Sequence, residues 1–270
     1  MTDESAPVSP GERPDPFGDL EYAAVPRVAA PRDREVWPPK PGIFAAVWPV
    51  YLLVGAVAAA SPFLSAKYVD DSIALPAVRS IVSAFVIGLT VLLPLLRLSQ
   101  SRSSDPVVES AMDAFSLLLP VQPLIWFTVV RPIGLSADRV LATDLSMIGW
   151  TTLVAGVVGL TLARERGDPP DAARRMLGML LVICLQCGGP AAFAAARSVG
   201  LGVDQSLLGF GPVASVLGLL ESPRSPVPAV VWIPVASVWF LSMGVWWIGL
   251  AERRKVIRGG ESSLGLSGGS

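Results

Sequence analysis

The sequence has no histidine and only two cysteines, and just 16% of its 270 residues are charged. Without histidine, the chain lacks the commonest metal ligand and the commonest general base near neutral pH. Two thiols fall short of the roughly four ligands of a structural zinc site. The paired carboxylates, serine–histidine pairs and phosphate-cradling glycine loops that mark enzymes are missing as well. We therefore expect no enzymatic activity in the chain itself, no cofactor and no metal. A net charge of −1 provides no electrostatic ground for a nucleic-acid partner. Lysine is scarce too: only Lys40, Lys67 and Lys255 stand among 21 basic residues, an arginine bias that points to a GC-rich bacterial genome.

The shortage of charge is concentrated in blocks, and 52% of the chain is hydrophobic. Six stretches run between charges without interruption. They lie between Lys40 and Lys67 (26 residues), Arg79 and Arg97 (17), Asp113 and Arg131 (17), Asp144 and Arg164 (19), Arg175 and Arg197 (21), and Arg224 and Glu252 (27). A bilayer core of about 30 Å takes roughly 17–25 helical residues. Backbone polar groups cannot be left unpaired in hydrocarbon, so such stretches must be helical. The fold expected is an all-α integral membrane protein with six transmembrane helices near 43–62, 76–97, 111–131, 143–163, 174–196 and 229–250.

Basic residues divide unequally between the two sides. One side holds 15: Arg13, Arg27, Arg32, Arg34, Lys40, Arg97, Arg102, Arg164, Arg166, Arg174, Arg175, Arg253, Arg254, Lys255 and Arg258. The other holds six, namely Lys67, Arg79, Arg131, Arg139, Arg197 and Arg224. Cationic loops stay in the cytoplasm, which predicts a bacterial cytoplasmic (inner) membrane protein with both termini inside. Trp232 near one end of the last span, and Trp246 and Trp247 near the other, match interfacial belts.

Residues 1–42 contain nine of the 25 prolines, with scattered charge and no periodic apolar face. They read as a disordered cytoplasmic tail, followed by the membrane domain 43–252 and a flexible cytoplasmic tail 253–270. In the loop RERGDPPDAARR (164–175), Pro169 and Pro170 stop the preceding helix and Asp171 is placed to cap the next, starting at Ala172.

The two cysteines, Cys184 and Cys187, sit at CxxC spacing inside the fifth span. An apolar surrounding disfavours the reactive thiolate, and two thiols are too few for zinc. The run CGGPAAFAAA reads as a small-residue surface for close helix packing. Beside it, Pro190 has no N–H for the carbonyl of Gln186, so the span is expected to kink or break near 186–190. The third span repeats the pattern with Pro120, Gln122 and Pro123. Gln122, Pro123, Gln186 and Pro190 are therefore candidate pathway or kink residues, while a membrane-buried amide also serves to bond a neighbouring helix. No Asp, Glu, Lys or Arg lies in the middle of an expected span; Asp113, Asp144 and Arg79 fall within about five residues of an end, where side chains reach water or head groups.

Between the fifth and sixth spans, SLLGFGPVASVLGLL (206–220) is apolar and uncharged. As a helix it reaches only about 22 Å, too short to cross. It is expected to lie in the interface or to dip in and return, as a short interfacial or re-entrant helix.

In layout the chain resembles the permease subunit of type-2 ATP-binding-cassette exporters. The resemblance rests on SLLGFGPVASVLGLLE between spans 5 and 6, on the closing span VVWIPVASVWFLSMGVWWIGLAERRKVIR, and on SSDPVVESAMDAFSLLLPVQP (103–123) at the entry to span 3. It implies a multi-pass transport subunit that forms a homo-dimer in the lipid bilayer and works with a separate cytoplasmic ATPase subunit. The alternative is a non-catalytic membrane anchor or assembly protein that uses its proline-rich tail as an adaptor.

Overall fold

The computed structural model describes residues 47–55, 57–58, 71–100, 105–126, 134–165, 171–200, 210–221 and 226–265. The 1–42 tail, the outer parts of the first span (43–46 and 59–62), the end of the third (127–131), prolines 169 and 170, and residues 206–209 lie outside them. The described residues are predominantly helical, and no strand occurs among them.

In chain order, α1 covers helical residues 47–55 and 57–58. α2 (Asp71–Ile87) passes through a π turn (Gly88–Leu92) into α3 (Leu93–Ser99). α4 is Pro106–Leu124, α5 Ala137–Ala163, α6 Ala172–Ser198, and α7 the short helix Pro212–Leu219. A 3-10 turn (Ala229–Val231) leads into α8 (Trp232–Gly265).

Four stretches are long and apolar enough to cross a membrane, namely Ser72–Ser99, Ala137–Ala163, Ala172–Ser198 and Ala229–Lys255. This is consistent with a membrane protein. A helix of 27 residues extends about 40 Å, more than the roughly 30 Å of a bilayer core. Of the other two expected spans, the first is described only in part. The third is α-helical only to Leu124, in a helix that starts at Pro106 and carries Glu109 and Asp113.

Helix boundaries follow local chemistry. Asp105 caps α4, its side chain accepting from the Val108 N–H at 3.3 Å with Pro106 at the first helical position. Asp171 caps α6 in the same way, accepting from the Arg174 N–H at 3.1 Å, and the helix begins at Ala172 as its cap predicts. Gly200, with φ +73°, occupies the left-handed position after α6. Before α5, Gly134 takes φ 59°, and the helix starts at Ala137, six residues ahead of the expected 143. Neither Arg139 nor Asp144 stops it, because charge sets where a span meets water and does not end a helix.

Contacts between helices fix their directions. Trp126, just past the end of α4, meets Asp144 on α5, and Gly159 packs against Ser110, so α4 and α5 are antiparallel. On α1 and α2, Gly55 faces Ala84 while Trp48 and Tyr51 cover Gly88, again antiparallel. α5 and α8 are parallel: Trp239 donates its indole N–H to Leu145 O (3.1 Å) and Trp246 to Thr152 O (2.9 Å). Both tryptophans sit in seats left by glycine. A Cβ on Gly149 would lie 3.2 Å from Trp239 Nε1, and one on Gly156 3.1 Å from Trp246 Nε1. Tryptophans, glycines and acceptors all repeat at seven residues, the period of knobs-into-holes packing. Trp246 thus turns into the bundle, while Trp247 stays exposed on its surface.

α5 occupies the centre. In its most apolar stretch 72% of residues are buried, against 11% for α6 and 17% for the last helix. The outer faces of α1, α4, α6 and α8 present Val50, Leu53, Phe115, Leu180, Phe240 and Trp247, all exposed.

Candidate functional site

α7 is the element that sequence periodicity explains least and tertiary contacts explain best. It begins at Gly211, where a Cβ would lie 3.0 Å from the backbone oxygen of Gln186 and 3.8 Å from Pro190 Cδ. Gln186 is halfway along α6. One turn into α7, Ser215 Oγ meets Ser146 Oγ at 3.2 Å and accepts from Trp150 Nε1 at 3.2 Å. Both partners lie near the middle of α5. Phe210 stacks edge-on against Trp150 at 6.0 Å.

The far end of α7 lies at the start of α5. Its terminal carbonyls have no partner within the helix, as at any helix C-terminus. Arg139 Nη1 donates to Leu219 O at 2.6 Å, and Arg79 Nη2 donates to Leu220 O at 3.3 Å. Arg139 also reaches Pro226 O at 3.5 Å, and the neighbouring Asp138 Oδ2 accepts from Val227 N at 2.6 Å. Two guanidinium groups thus supply donors that an eight-residue helix cannot supply for itself. Val216, Leu219 and Leu220 are buried.

Gln186 and Pro190 come together at the head of α7. Pro190 does not interrupt α6, which is helical from Ala172 to Ser198. The Gln186 amide Nε2 donates to Thr90 O at 3.2 Å. That carbonyl lies four residues before Pro94, which has no N–H to return to it. The deformation therefore falls in α2–α3, where the helix widens into the π turn at Gly88–Leu92. Gly88 in that turn is also a point of close approach, since a Cβ there would fall 2.5 Å from Tyr51 Cε1.

Gln122 and Pro123 belong to a different place, the last turn of α4. Gln122 Nε2 is buried with no hydrogen-bond partner among the described residues. One turn further on, the Trp126 indole N–H donates to Asp144 Oδ2 at 3.2 Å. Asp144 is the residue that reading the sequence misplaced. Because α5 starts at Ala137, it lies about 10 Å along the helix, and it is 6% exposed. The available signal was the pair Gly134 and Ser136, a turn residue and an N-cap residue ahead of Asp138.

Cys184 and Cys187 are free thiols on the exposed side of α6. That helix buries only Gly178, Val182 and Gly189, a face on which neither cysteine lies. Neither cysteine is therefore part of the core packing described here. No group of three or more His, Cys, Asp and Glu side chains that could hold a metal occurs among the described residues.

The end of the bundle opposite α7 carries the ion pairs. Arg97 bonds Glu109 and lies 3.4 Å from Asp113. Arg175 grips Glu165 with two hydrogen bonds, at 2.8 and 3.0 Å, and donates to Leu98 O (2.9 Å) and Gln100 O (2.7 Å) at the end of α3. Arg253 pairs with Asp105 at 2.7 Å, and Arg164 lies 3.8 Å from Glu252.

No protein-family model matches this sequence, and no characterised protein or solved structure matches it either.

Proposed function

We propose that this chain is a six-span bacterial inner-membrane protein with both termini cytoplasmic, acting as a permease-like subunit of an ATP-driven exporter. The observation that carries this reading is the seat of α7. It reaches from the middle of α5 and α6 to the end of the bundle opposite the ion pairs, with its carbonyls capped by Arg79 and Arg139. A non-spanning helix is tolerated at membrane depth only where protein covers its backbone polar groups, so this seat supports a re-entrant placement. Six helical segments (α1, α2–α3, α4, α5, α6 and α8) run in alternating directions, which supports six crossings. The basic loops gather at the end carrying the ion pairs, which supports a cytoplasmic assignment for that end. In this reading two copies pair, and a separate ATPase docks on the 97–109 and 164–175 loops.

Purification from native membranes in mild detergent tests the proposal. A nucleotide-binding subunit should co-purify, and a reporter placed in the 164–175 loop should read as cytoplasmic. Recovery of the chain alone with no ATPase, or a periplasmic reporter, overturns it.

The bare face of α6 favours a second reading, a membrane anchor that assembles other helices around itself. In that case deletion of residues 1–35 abolishes partner capture while leaving the bundle folded. In the exporter reading the same deletion leaves transport intact.

A further inference from the structure

We propose that Asp144 is a binding site for a small positive charge, a proton or an alkali cation, inside the apolar bundle. The inference is independent of the exporter reading and rests on how this carboxylate is held.

Asp144 is only 6% exposed. Oδ2 accepts one neutral donor, the Trp126 indole N–H, at 3.2 Å. Oδ1 is buried and accepts from no group among the described residues. On the preceding residue, Thr143 Oγ1 is equally buried and equally without a partner. Two adjacent residues of α5 thus hold oxygen lone pairs that no described group uses. A carboxylate withdrawn from water with a single neutral hydrogen bond is costly unless a counter-charge joins it.

Among the described residues no such counter-charge comes from the neighbouring helices. On α5 itself, Arg139 is directed to Leu219 O and Pro226 O, and Asp138 to Val227 N. Arg79 of α2 donates to Leu220 O. At the end of α4 the polar groups are Gln122 and, just past the helix, Trp126, while Asp113 lies nine residues before Gln122, beside Arg97. Residues 176–196 of α6, 210–220 around α7 and 226–251 leading through α8 contain no Asp, Glu, Lys or Arg. The geometry leaves a carboxylate oxygen buried in an apolar shell with lone pairs to offer, and the chemistry that satisfies it is a small cation taken up from solvent. Intramembrane carboxylates without a protein counter-ion have this role in ion-handling bundles.

The test uses the purified full-length chain in detergent micelles and the lipophilic reagent dicyclohexylcarbodiimide. The reagent takes the carboxyl proton on one nitrogen and the carboxyl oxygen on its central carbon. An oxygen-to-nitrogen acyl shift then leaves a stable N-acylurea, with no leaving group. Peptide mass spectrometry locates the adduct. Labelling is expected at Asp144 ahead of Asp105 and Glu109, and Asp144→Asn should remove it. If the site takes protons alone, labelling slows as pH rises, and sodium or potassium at constant ionic strength changes nothing. If it takes an alkali cation, added sodium or potassium slows labelling at fixed pH relative to choline. Competition is measured on the unmodified chain, so it stands even if the Asp144→Asn variant fails to fold. A folded protein whose Asp144 is unlabelled, or labelled at a rate indifferent to pH, sodium and potassium alike, overturns the proposal.

Discussion

The two ends of the bundle use arginine differently. At one end Arg97, Arg164, Arg175 and Arg253 all face carboxylates, tying α3 to α4, α5 to α6 and α8, and α8 to the cap of α4. At the other end Arg79 and Arg139 face backbone carbonyls at and beyond the end of α7. Arginine presents five donors in a fixed fork, and the geometry of what needs satisfying selects its partner. Where long helices end side by side, charged caps and loop residues of both signs are close enough to pair. Where a short helix ends inside the bundle, the unmet groups are carbonyl oxygens, and a carboxylate there would add a second acceptor.

Substitutions at four positions sharpen that contrast, in order of expected size. Glu165→Ala should cost most, about 3–5 kcal/mol, because it removes the carboxylate, itself only 1% exposed, that pairs with the largely buried Arg175 guanidinium. Thermal unfolding in detergent measures it, and a loss under about 1 kcal/mol would reduce the pair to an ordinary surface contact. Arg139→Ala follows at about 2–3 kcal/mol, since it leaves the buried Leu219 carbonyl without its charged donor. Arg139→Lys should rescue only part of that loss, since an ammonium cannot span Leu219 O and Pro226 O as a planar fork does. Hydrogen exchange on residues 212–220 should rise in both variants, and unchanged protection there contradicts the capping role. Gln186→Leu removes the donor to Thr90 O and should cost about 1 kcal/mol, with the effect confined to the π turn of α2–α3. Arg253→Ala is smallest, below about 0.5 kcal/mol, because that pair is 41% and 30% exposed. Its effect should vanish in about 1 M salt, where screening acts within roughly 3 Å. The Arg139 effect should persist there.

Much of the bundle was legible in the sequence because lipid-compatible helices leave a coarse mark, long uncharged runs between charges. Asp171 could be read as a cap because the capping bond is local, formed with an N–H three residues away. The start of α5 was harder, because charge was taken as a boundary and Asp144 consequently appeared to lie at an edge. Trp232, Trp246 and Trp247 were read as interfacial belts; Trp246, like Trp239 one heptad before it, is seated on a glycine of α5, Gly156 and Gly149 respectively. Each helix alone carries half of that seven-residue match, and neither half is informative without the other. Gln186 stood out in the sequence as a mid-span amide, but its partner Thr90 is 96 residues away.

The amino-acid sequence alone determined the helical class, the apolar stretches, the caps and the unequal division of basic residues, because each depends on composition or on contacts within one turn. Tertiary structure alone decided that α5 is central, that α7 is seated among α2, α5 and α6, and that Asp144 is buried beside Trp126. Those outcomes depend on which helix faces which. In an all-apolar bundle many pairings bury similar area, and shape and a few long-range hydrogen bonds select among them.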